Sequence, residues 1–430
     1  LMILSQAIIA DVVPARERGR YMGAIGGVFA LASVAGPLLG GWFTESIGWR
    51  WAFWMNLPLG ALAIFAAVML LKLPKNTRGK PTIDVAGMVL LAIASTAIVL
   101  VTTWGGTQYD WDSLIIIGLI ALAIVAGFSF VMVERAAAEP IMPLHMFKER
   151  NFVLTTASGL ITGIAMFGAL AYMPTYLQMV TGVNATQAGF LMIPMMGAML
   201  VTSIVAGQLV SRTGRYKWLP LTGSFVIATG LALLSTMTPD LPIWILCSYL
   251  AVMGLGLGMS MQMLVLIVQN TFPNAQVGTA TSSNNYFRQI GASIGTAVVG
   301  SLFVARLTEL LDTRLPAAAA GATGDTNSLT PAAVRDLPDA VREIIVGAYN
   351  DSLAPVFLYM VPLVLISAVL LMFIKEVPLA TTIDRAEATE TLNVLGDEDA
   401  VATEAPDAES HELTNVTEHS GPISIIRSQP

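Results

Sequence analysis

Ten long apolar segments follow one another along this chain, and they restrict its fold more than any other feature. Each is close to the roughly 20 residues that an α-helix needs to cross a bilayer. Inside hydrocarbon every backbone N–H and C=O must find a partner within its own segment, so the segments are predicted to be helices. They lie near residues 21–43, 51–71, 84–104, 113–133, 152–176, 187–210, 218–236, 243–269, 278–305 and 353–374.

The composition indicates a membrane protein and argues against an enzyme. Charged residues make up 12% of the 430-residue sequence, whereas a soluble domain has about 25%. Cys247 is the single cysteine, which leaves no disulfide framework and no zinc cluster. The sequence has no HEXXH, GxSxG or P-loop pattern, and GLGLG (254–258) lies inside an apolar segment, where close helix packing is expected. We therefore expect no catalysis, no cofactor, no metal and no nucleic-acid partner.

Basic residues predict how the helices are oriented. Thirteen Lys and Arg residues fall in every second loop, beginning with residues 11–20, and only Arg50 falls in the alternate short loops. The positive-inside rule places the first set of loops in the cytoplasm. The chain is then a multi-pass protein of the cell membrane with a cytoplasmic C-terminus. Residues 307–350 are predicted to be an external loop with a surface helix in TPAAVRDLPDAVREIIVGAY, and residues 377–430 a disordered acidic tail.

The stretch GPLLGG, residues 36–41, places helix-breaking residues inside the first apolar segment. Small residues precede it at helical spacing, as far back as Gly23 and Gly27. In lipid, such a face lets two helix backbones approach closely, and Pro37 removes one backbone hydrogen bond and favours a bend. These residues predict either ordinary packing with a kink or a face that closes one helix bundle against another.

Residues 23–41, GAIGGVFALASVAGPLLGG, resemble the antiporter motif in the fifth helix of the major facilitator superfamily, with Ala32 in place of one motif glycine. GWRWAFWMNLPLG (48–60) resembles the start of the sixth helix in the fourteen-helix drug:proton antiporter branch, and GTATSSNNYFRQIG (278–291) resembles the thirteenth helix there. GQLVSRTGR (207–215) is similar to the cytoplasmic loop motif of the superfamily, with Ser211 where an aspartate is usual.

The resemblance covers residues 1 to about 376 and implies a major facilitator fold, an all-α polytopic membrane protein. LMILSQAIIADVVPARERGR (1–20) matches the end of the fourth helix and the next loop, so ten complete transmembrane helices and a partial first one are expected, with three and a half helices absent. The implied domains are the rest of an N-terminal six-helix bundle (1–71), two linking transmembrane helices (72–151), a C-terminal six-helix bundle (152–376) and the tail.

The resemblance also implies a function, the efflux of amphipathic drugs or other small toxic compounds in exchange for protons, by alternating access in the lipid bilayer. A transporter for one specific metabolite and a membrane-embedded protein that does not transport remain as alternatives. The arginines near residue 18 also fit simple anchoring at the membrane surface. The implied gate residues are Gly23, Gly36, Pro37, Gly40 and Gly41, and the implied cytoplasmic switch is Asp11, Arg18, Gly207, Arg212, Gly214 and Arg215.

Polar residues inside apolar segments are the remaining candidates. Arg288, with Asn285 beside it, lies about ten residues into its segment, where an arginine costs roughly 2.5–3.5 kcal/mol on insertion scales. It is expected to face the protein interior or a wet cavity, or else to extend toward the membrane surface. A possible cavity wall, equally compatible with core packing, consists of Asn56, Tyr172, Tyr176, Gln178, Met192, Met195, Met196, Gln262 and Gln269.

No carboxylate lies deep in a complete apolar segment of the sequence. Asp84, Glu134 and Asp351 fall at segment edges. A proton antiporter needs a group that binds and releases a proton, usually a membrane carboxylate. That group is therefore expected in a segment that precedes residue 1, unless one of the acids at a segment edge moves inward.

Overall fold

The computed structural model describes residues 2–70, 84–106, 108–137, 139–315, 330–335 and 337–379, and this part of the chain contains helices and no β-strand. In chain order the helices are α1 (Met2–Val12), α2 (Ala15–Ser46), α3 (Trp51–Trp54), α4 (Asn56–Leu70), α5 (Val85–Trp104), α6 (Leu114–Ala136), α7 (Arg150–Val180), α8 (Ala185–Leu191), α9 (Ile193–Thr213), α10 (Trp218–Leu234), α11 (Ile243–Thr271), α12 (Asn274–Arg314), α13 (Pro331–Arg335) and α14 (Asp339–Met372), with a 3₁₀ turn at Leu144–Lys148.

All ten predicted apolar segments are helical. Eight stretches of the described residues are long and apolar enough to cross a membrane. The other two predicted segments correspond to α2, of 32 residues, and α10, an apolar helix of 17 residues. The prediction of an all-α polytopic membrane protein is confirmed.

The predicted external loop at 307–350 is wrong in its bounds. Helix α12 continues to Arg314, and the segment predicted as a separate surface helix forms the short α13 and the first turns of α14. Ile345, Ala348 and Tyr349 are buried in the hydrophobic core, so this segment continues the buried face of the last helix. Residues 316–329, the loop at 71–83 and the tail from residue 380 lie outside the described residues.

Local sequence signals set several helix ends. The Asp84 carboxylate accepts a hydrogen bond from the Gly87 N–H and caps α5, and Asn184 with Gln187 forms a capping box at α8. Gly214 ends α9 with φ = 71°, a conformation that a glycine adopts at little cost.

Glycines allow the closest helix contacts. In the GLGLG stretch, a Cβ on Gly256 would lie 2.7 Å from the Gly223 carbonyl oxygen of α10, and one on Gly254 would clash with the Met195 backbone of α9. Close helix packing, as predicted for this stretch, is confirmed. The main hydrophobic core lies among α7 to α14 and is rich in methionine. In contrast, no described side chain of residues 51–69, in α3 and α4, is buried.

Candidate functional site

Helix α2 packs closely against α9 through its glycines. A Cβ on Gly23 would lie 2.6 Å from the Ser203 carbonyl oxygen, and one on Gly207 would clash with the Gly19 carbonyl oxygen. The Ser203 hydroxyl donates a hydrogen bond of 3.2 Å to the Gly23 carbonyl oxygen. We call Gly19, Gly23, Ser203 and Gly207 the glycine contact. Any larger side chain at Gly23 or Gly207 would force the two backbones apart.

The other half of the motif has different surroundings. Apart from the adjoining backbone of α2 itself, no atom of the described residues lies within 4 Å of a Cβ built on Gly36 or Gly40. Leu31 and Trp42, on the same half of α2, are 60% and 55% exposed. The side-chain surroundings of Pro37 and Gly41 lie outside the described part of the chain. The structure therefore brings Gly23 into a helix contact and does not bring Gly36 and Gly40 there.

The two helices of the glycine contact present basic residues at the same end, which we call the basic end. Arg16 donates to the carbonyl oxygens of Ser211 and Arg212, both at 3.3 Å. The Ser211 hydroxyl accepts from the Arg20 N–H at 3.1 Å and donates to the Gly207 carbonyl oxygen at 3.0 Å. Ser211 thus joins α2 to α9 at a position where the resemblance would place an aspartate.

Arg18 is buried, and its contacts join three helices. Its guanidinium donates to the carbonyl oxygens of Val13 and Ala10, at 2.9 and 2.6 Å, and to the Asn274 amide oxygen at 3.0 Å. It therefore neutralises the carbonyl end of α1 and holds it against the first residue of α12. The Arg212 and Arg215 side chains are exposed, and the side chain of Asp11 lies outside the described residues.

Sequence reasoning missed a second set of contacts at the basic end, made by residues 375–377. The Tyr216 hydroxyl donates to the Val377 carbonyl oxygen at 3.0 Å and accepts from the Val377 N–H at 2.8 Å. The Glu376 carboxylate accepts from the Tyr216 N–H at 2.9 Å. Burial raises the pKa of the Tyr216 phenol, so the hydroxyl stays protonated and keeps its donor role at neutral pH.

A cluster of buried polar side chains lies where α1, α11 and α12 meet, and we call it the polar cluster. Gln6 of α1 donates to the Gln262 amide oxygen at 3.3 Å and accepts from the Asn285 amide at 3.3 Å. Gln269 donates to the Gln6 carbonyl oxygen at 3.3 Å. Arg288 donates to the amide oxygen of Asn285. The sequence singled out Gln262, Gln269, Asn285 and Arg288, and the structure brings these four together.

The polar cluster keeps unused hydrogen-bonding capacity. Among the described residues, the Gln262 amide nitrogen and the Gln269 amide oxygen are buried and have no partner. No carboxylate of the described residues lies within 4.0 Å of the Arg288 guanidinium. Because buried polar groups are nearly always satisfied, such a cluster is suited to hold a water, an ion or a polar ligand group.

Gln6 was missed because a short apolar stretch with one glutamine gives no local sign of its partners. Its role depends on α11 and α12, more than 250 positions away. A glutamine in an otherwise apolar segment was the available signal, of the same kind that identified Gln262.

The other predicted cavity residues do not share one cavity. Tyr172 borders an opening between α5, α7 and α12. Gln178 bonds to the Pro174 carbonyl oxygen of its own helix, and Asn56 is exposed and bonds to the Ala52 carbonyl oxygen. The remaining four belong to the hydrophobic core, and they are Tyr176, Met192, Met195 and Met196.

Three acidic residues that the sequence placed at segment edges have defined surroundings. Glu134 is buried and accepts from the Ile141 N–H at 3.1 Å. Asp351 lies inside α14 and forms an ion pair of 2.8 Å with Arg314. Together with the capping role of Asp84, these contacts give each carboxylate a structural explanation.

Comparison with known proteins agrees with the helix pattern. Residues 1–296 match the family model described as Major Facilitator Superfamily. An uncharacterized MFS-type transporter of Mycobacterium tuberculosis is 41% identical over 90% of this chain, which spans only 56% of that protein. From Bacillus subtilis, the multidrug transporter protein MdtP is 35% identical over 88% of this chain and 74% of its own length.

A second Bacillus subtilis protein, multidrug resistance protein 3, is 32% identical over 91% of this chain and 77% of its own length. Thus two relatives above 30% identity are covered over about three quarters of their length. With a family match over residues 1–296 and the apolar helices in place, this chain belongs to the major facilitator superfamily of membrane transporters.

Proposed function

We propose that the protein exports amphipathic drugs or other small toxic compounds in exchange for protons, by alternating access in the cell membrane. The observation that carries this proposal is the antiporter-like motif on α2 and its contact with α9. The antiporter-like motif is packed against α9 at Gly23 and has open space at Gly36 and Gly40. The close contact at Gly23 fits a helix whose small residues let one bundle close against the other.

The orientation of the membrane helices belongs to this proposal. If the basic end faces the cytoplasm, the glycine contact seals the cytoplasmic side and the open half of α2 faces outward. The gate would then have two contact surfaces on α2 that close in turn. Gly23 belongs to the inner surface, and the outer surface consists of Gly36, Pro37, Gly40 and Gly41. Closing the outer side would bring the face of GPLLGG against a partner helix.

The relatives support a drug-like substrate. Two of them are named for multidrug transport and multidrug resistance. The polar cluster contributes amide groups and the Arg288 guanidinium to a protein interior that is rich in apolar and methionine side chains. Arg18, with Gly207, Arg212, Gly214 and Arg215, would hold the cytoplasmic end in one state and release it in the other.

A vesicle assay tests the export proposal. The full-length protein would be reconstituted into liposomes whose lumen is more acidic than the outside, and ethidium uptake followed by fluorescence. Proton flow out of the lumen should drive ethidium in, and nigericin, which collapses the pH difference, should abolish this uptake.

Empty liposomes and liposomes at equal pH are the controls. Uptake that is the same with and without the pH difference would contradict proton coupling. A failure to move ethidium, Nile red or other amphipathic dyes under either condition would contradict drug export and favour a transporter for one metabolite.

A further inference from the structure

A cavity of about 460 Å³ opens between α5, α7 and α12, away from the polar cluster. Its walls include Thr102 and Thr103 of α5, Phe167 and Tyr172 of α7, and Gln289 and Ser293 of α12. Ligand sites for drug-sized molecules have volumes of roughly 300–1,000 Å³ and combine apolar walls with a few polar groups. The cavity meets both criteria.

Two polar groups of this cavity have no hydrogen-bond partner among the described residues. Gln289 and Ser293 are four residues apart and therefore share one face of α12. Among the described residues, neither side chain has a hydrogen-bond partner, although the Gln289 amide is exposed and Ser293 is only half-buried. The hydroxyl of Tyr172 already donates to the Thr296 carbonyl oxygen, at 3.0 Å. The free donors are thus on α12.

The depth of Gln289 in the membrane makes an unpaired amide at this position costly. Gln289 lies near the middle of the apolar segment 278–305, about 22 Å from the start of α12 at 1.5 Å per residue. At that depth an exposed amide has no lipid partner, and leaving it unpaired is costly. A bound molecule with its own acceptor and donor would satisfy both Gln289 and Ser293.

The described lining of the cavity is uncharged, and this determines which ligands it can bind. None of the described residues that line it is acidic or basic. Arg288, next in sequence to Gln289, is buried and bonded to Asn285. A charged ligand would lose its hydration here without gaining a counter-charge, whereas an uncharged one would lose little.

Helix α5 is a fixed wall of the cavity. The Ser95 and Tyr286 hydroxyls lie 2.9 Å apart and hydrogen-bond α5 to α12. From this contact α5 continues to Thr102 and Thr103, whose hydroxyls bond to the Val99 carbonyl oxygen of the same helix. A helix that would otherwise only link two bundles thereby contributes one side of the cavity.

We infer that this cavity binds an uncharged amphipathic molecule of drug size, with its polar group on Gln289 and Ser293 and its apolar body between α5 and Phe167. The inference rests on the proposed function and deepens it, since it gives the linking helix α5 a part in recognition and names the ligand class.

Equilibrium binding tests the inference without requiring transport. Nile red, an uncharged dye that brightens in apolar surroundings, would be titrated into the purified full-length protein. The double variant Gln289→Leu/Ser293→Ala should bind Nile red about tenfold more weakly, since each net hydrogen bond is worth about 0.5–1.5 kcal/mol. Thr102→Trp, which fills the cavity from α5, should also weaken binding. Ser248→Ala removes an exposed hydroxyl of α11 outside the cavity and should change nothing.

A labelling measurement covers the case in which a variant misfolds. In a Cys247→Ser background, Ser293→Cys should react with N-ethylmaleimide, and Nile red should slow that reaction. Unchanged dye affinity in the double variant and in Thr102→Trp would overturn the inference, as would labelling that Nile red does not slow. If the protein binds Nile red here but moves no dye in liposomes, the proposed export fails and the binding site stands.

Discussion

The two halves of α2 carry the same motif residue in opposite surroundings. Gly23 and Gly40 lie about 26 Å apart along the helix, at 1.5 Å per residue. At Gly23 there is no room for a side chain, because the Ser203 carbonyl oxygen is 2.6 Å from where a Cβ would be. At Gly40 no atom comes within 4 Å of that position. A glycine motif therefore does not determine its contacts, which depend on the neighbouring helix.

The packed and the unpacked glycines of α2 differ in what they contribute to stability. Glycine costs a helix interior up to about 1 kcal/mol relative to alanine. The glycine contact offsets that cost through backbone packing and the Ser203 hydrogen bond. At Gly36 and Gly40 the described residues provide no close packing around a built Cβ, so packing within this part of the chain does not explain a small residue there.

The largest expected effect is on stability, from Gly23→Leu. Its side chain would push α2 away from α9, and overpacking a tight contact typically costs about 1–3 kcal/mol. The melting temperature of the purified protein should fall by several degrees. Gly36→Leu, on the same helix with open space around it, is the matched control and should leave the melting temperature unchanged. Equal losses for both variants would remove the distinction between the two halves.

The next largest effect is expected in the polar cluster. This cluster adjoins the closed half of α2, where a Cβ on Gly26 would lie 2.9 Å from the Gln262 side chain. Asn285→Leu should cost about 1–3 kcal/mol, since it leaves Arg288 and Gln6 with buried unpaired groups. Thermal unfolding would measure the loss. Gln178→Leu, whose amide bonds only within α7, should cost much less; a similar cost would mean that the cluster adds no stability.

Gly40→Leu distinguishes a gate from a passive surface at the open half. If closing the outer side requires GPLLGG to approach another helix, leucine should slow export by tenfold or more, about 1.4 kcal/mol on the rate-limiting step, at normal abundance and melting temperature. Ethidium uptake into acid-loaded liposomes gives the rate and immunoblotting the abundance. Unchanged export at equal abundance would show that the open glycines have no gating role.

Much of the fold follows from the sequence because lipid leaves few choices. A long apolar segment must satisfy its backbone internally, so all ten segments became helices near the expected residues. The bounds of the loop at 307–350 were predicted wrongly because charged residues such as Arg342 and Glu343 hide the buried face that includes Ile345 and Tyr349. Hydropathy is averaged over all sides of a helix, so a helix with one buried apolar face and one charged face does not stand out.

The site was only partly predictable, for a related reason. Arg288 and Asn285 are conspicuous as polar residues in an apolar segment, and burial in a polar cluster follows from the cost of exposing them to lipid. Gln6 and Tyr216 act through partners far along the chain, which one sequence does not reveal. The motif at 23–41 predicted a close contact, but only the structure shows that Gly23 makes one while Gly36 does not.

The smallest expected effect is at Ser211, which lies at the basic end beside the closed half of α2. Its hydroxyl accepts from the Arg20 N–H of α2 at 3.1 Å and thereby adds a hydrogen bond between α2 and α9. Ser211→Ala should cost about 0.5–1.5 kcal/mol, the net value of a typical hydrogen bond. Thr213→Ala is the control, because among the described residues its exposed hydroxyl bonds only to the Leu209 carbonyl oxygen and the nearby Arg215 N–H and makes no hydrogen bond with α2. If Ser211→Ala shifts the melting temperature no more than Thr213→Ala, then the glycine packing and the Arg16 hydrogen bonds hold the basic end closed, and the hydroxyl of the serine that replaces the usual aspartate has no share in it.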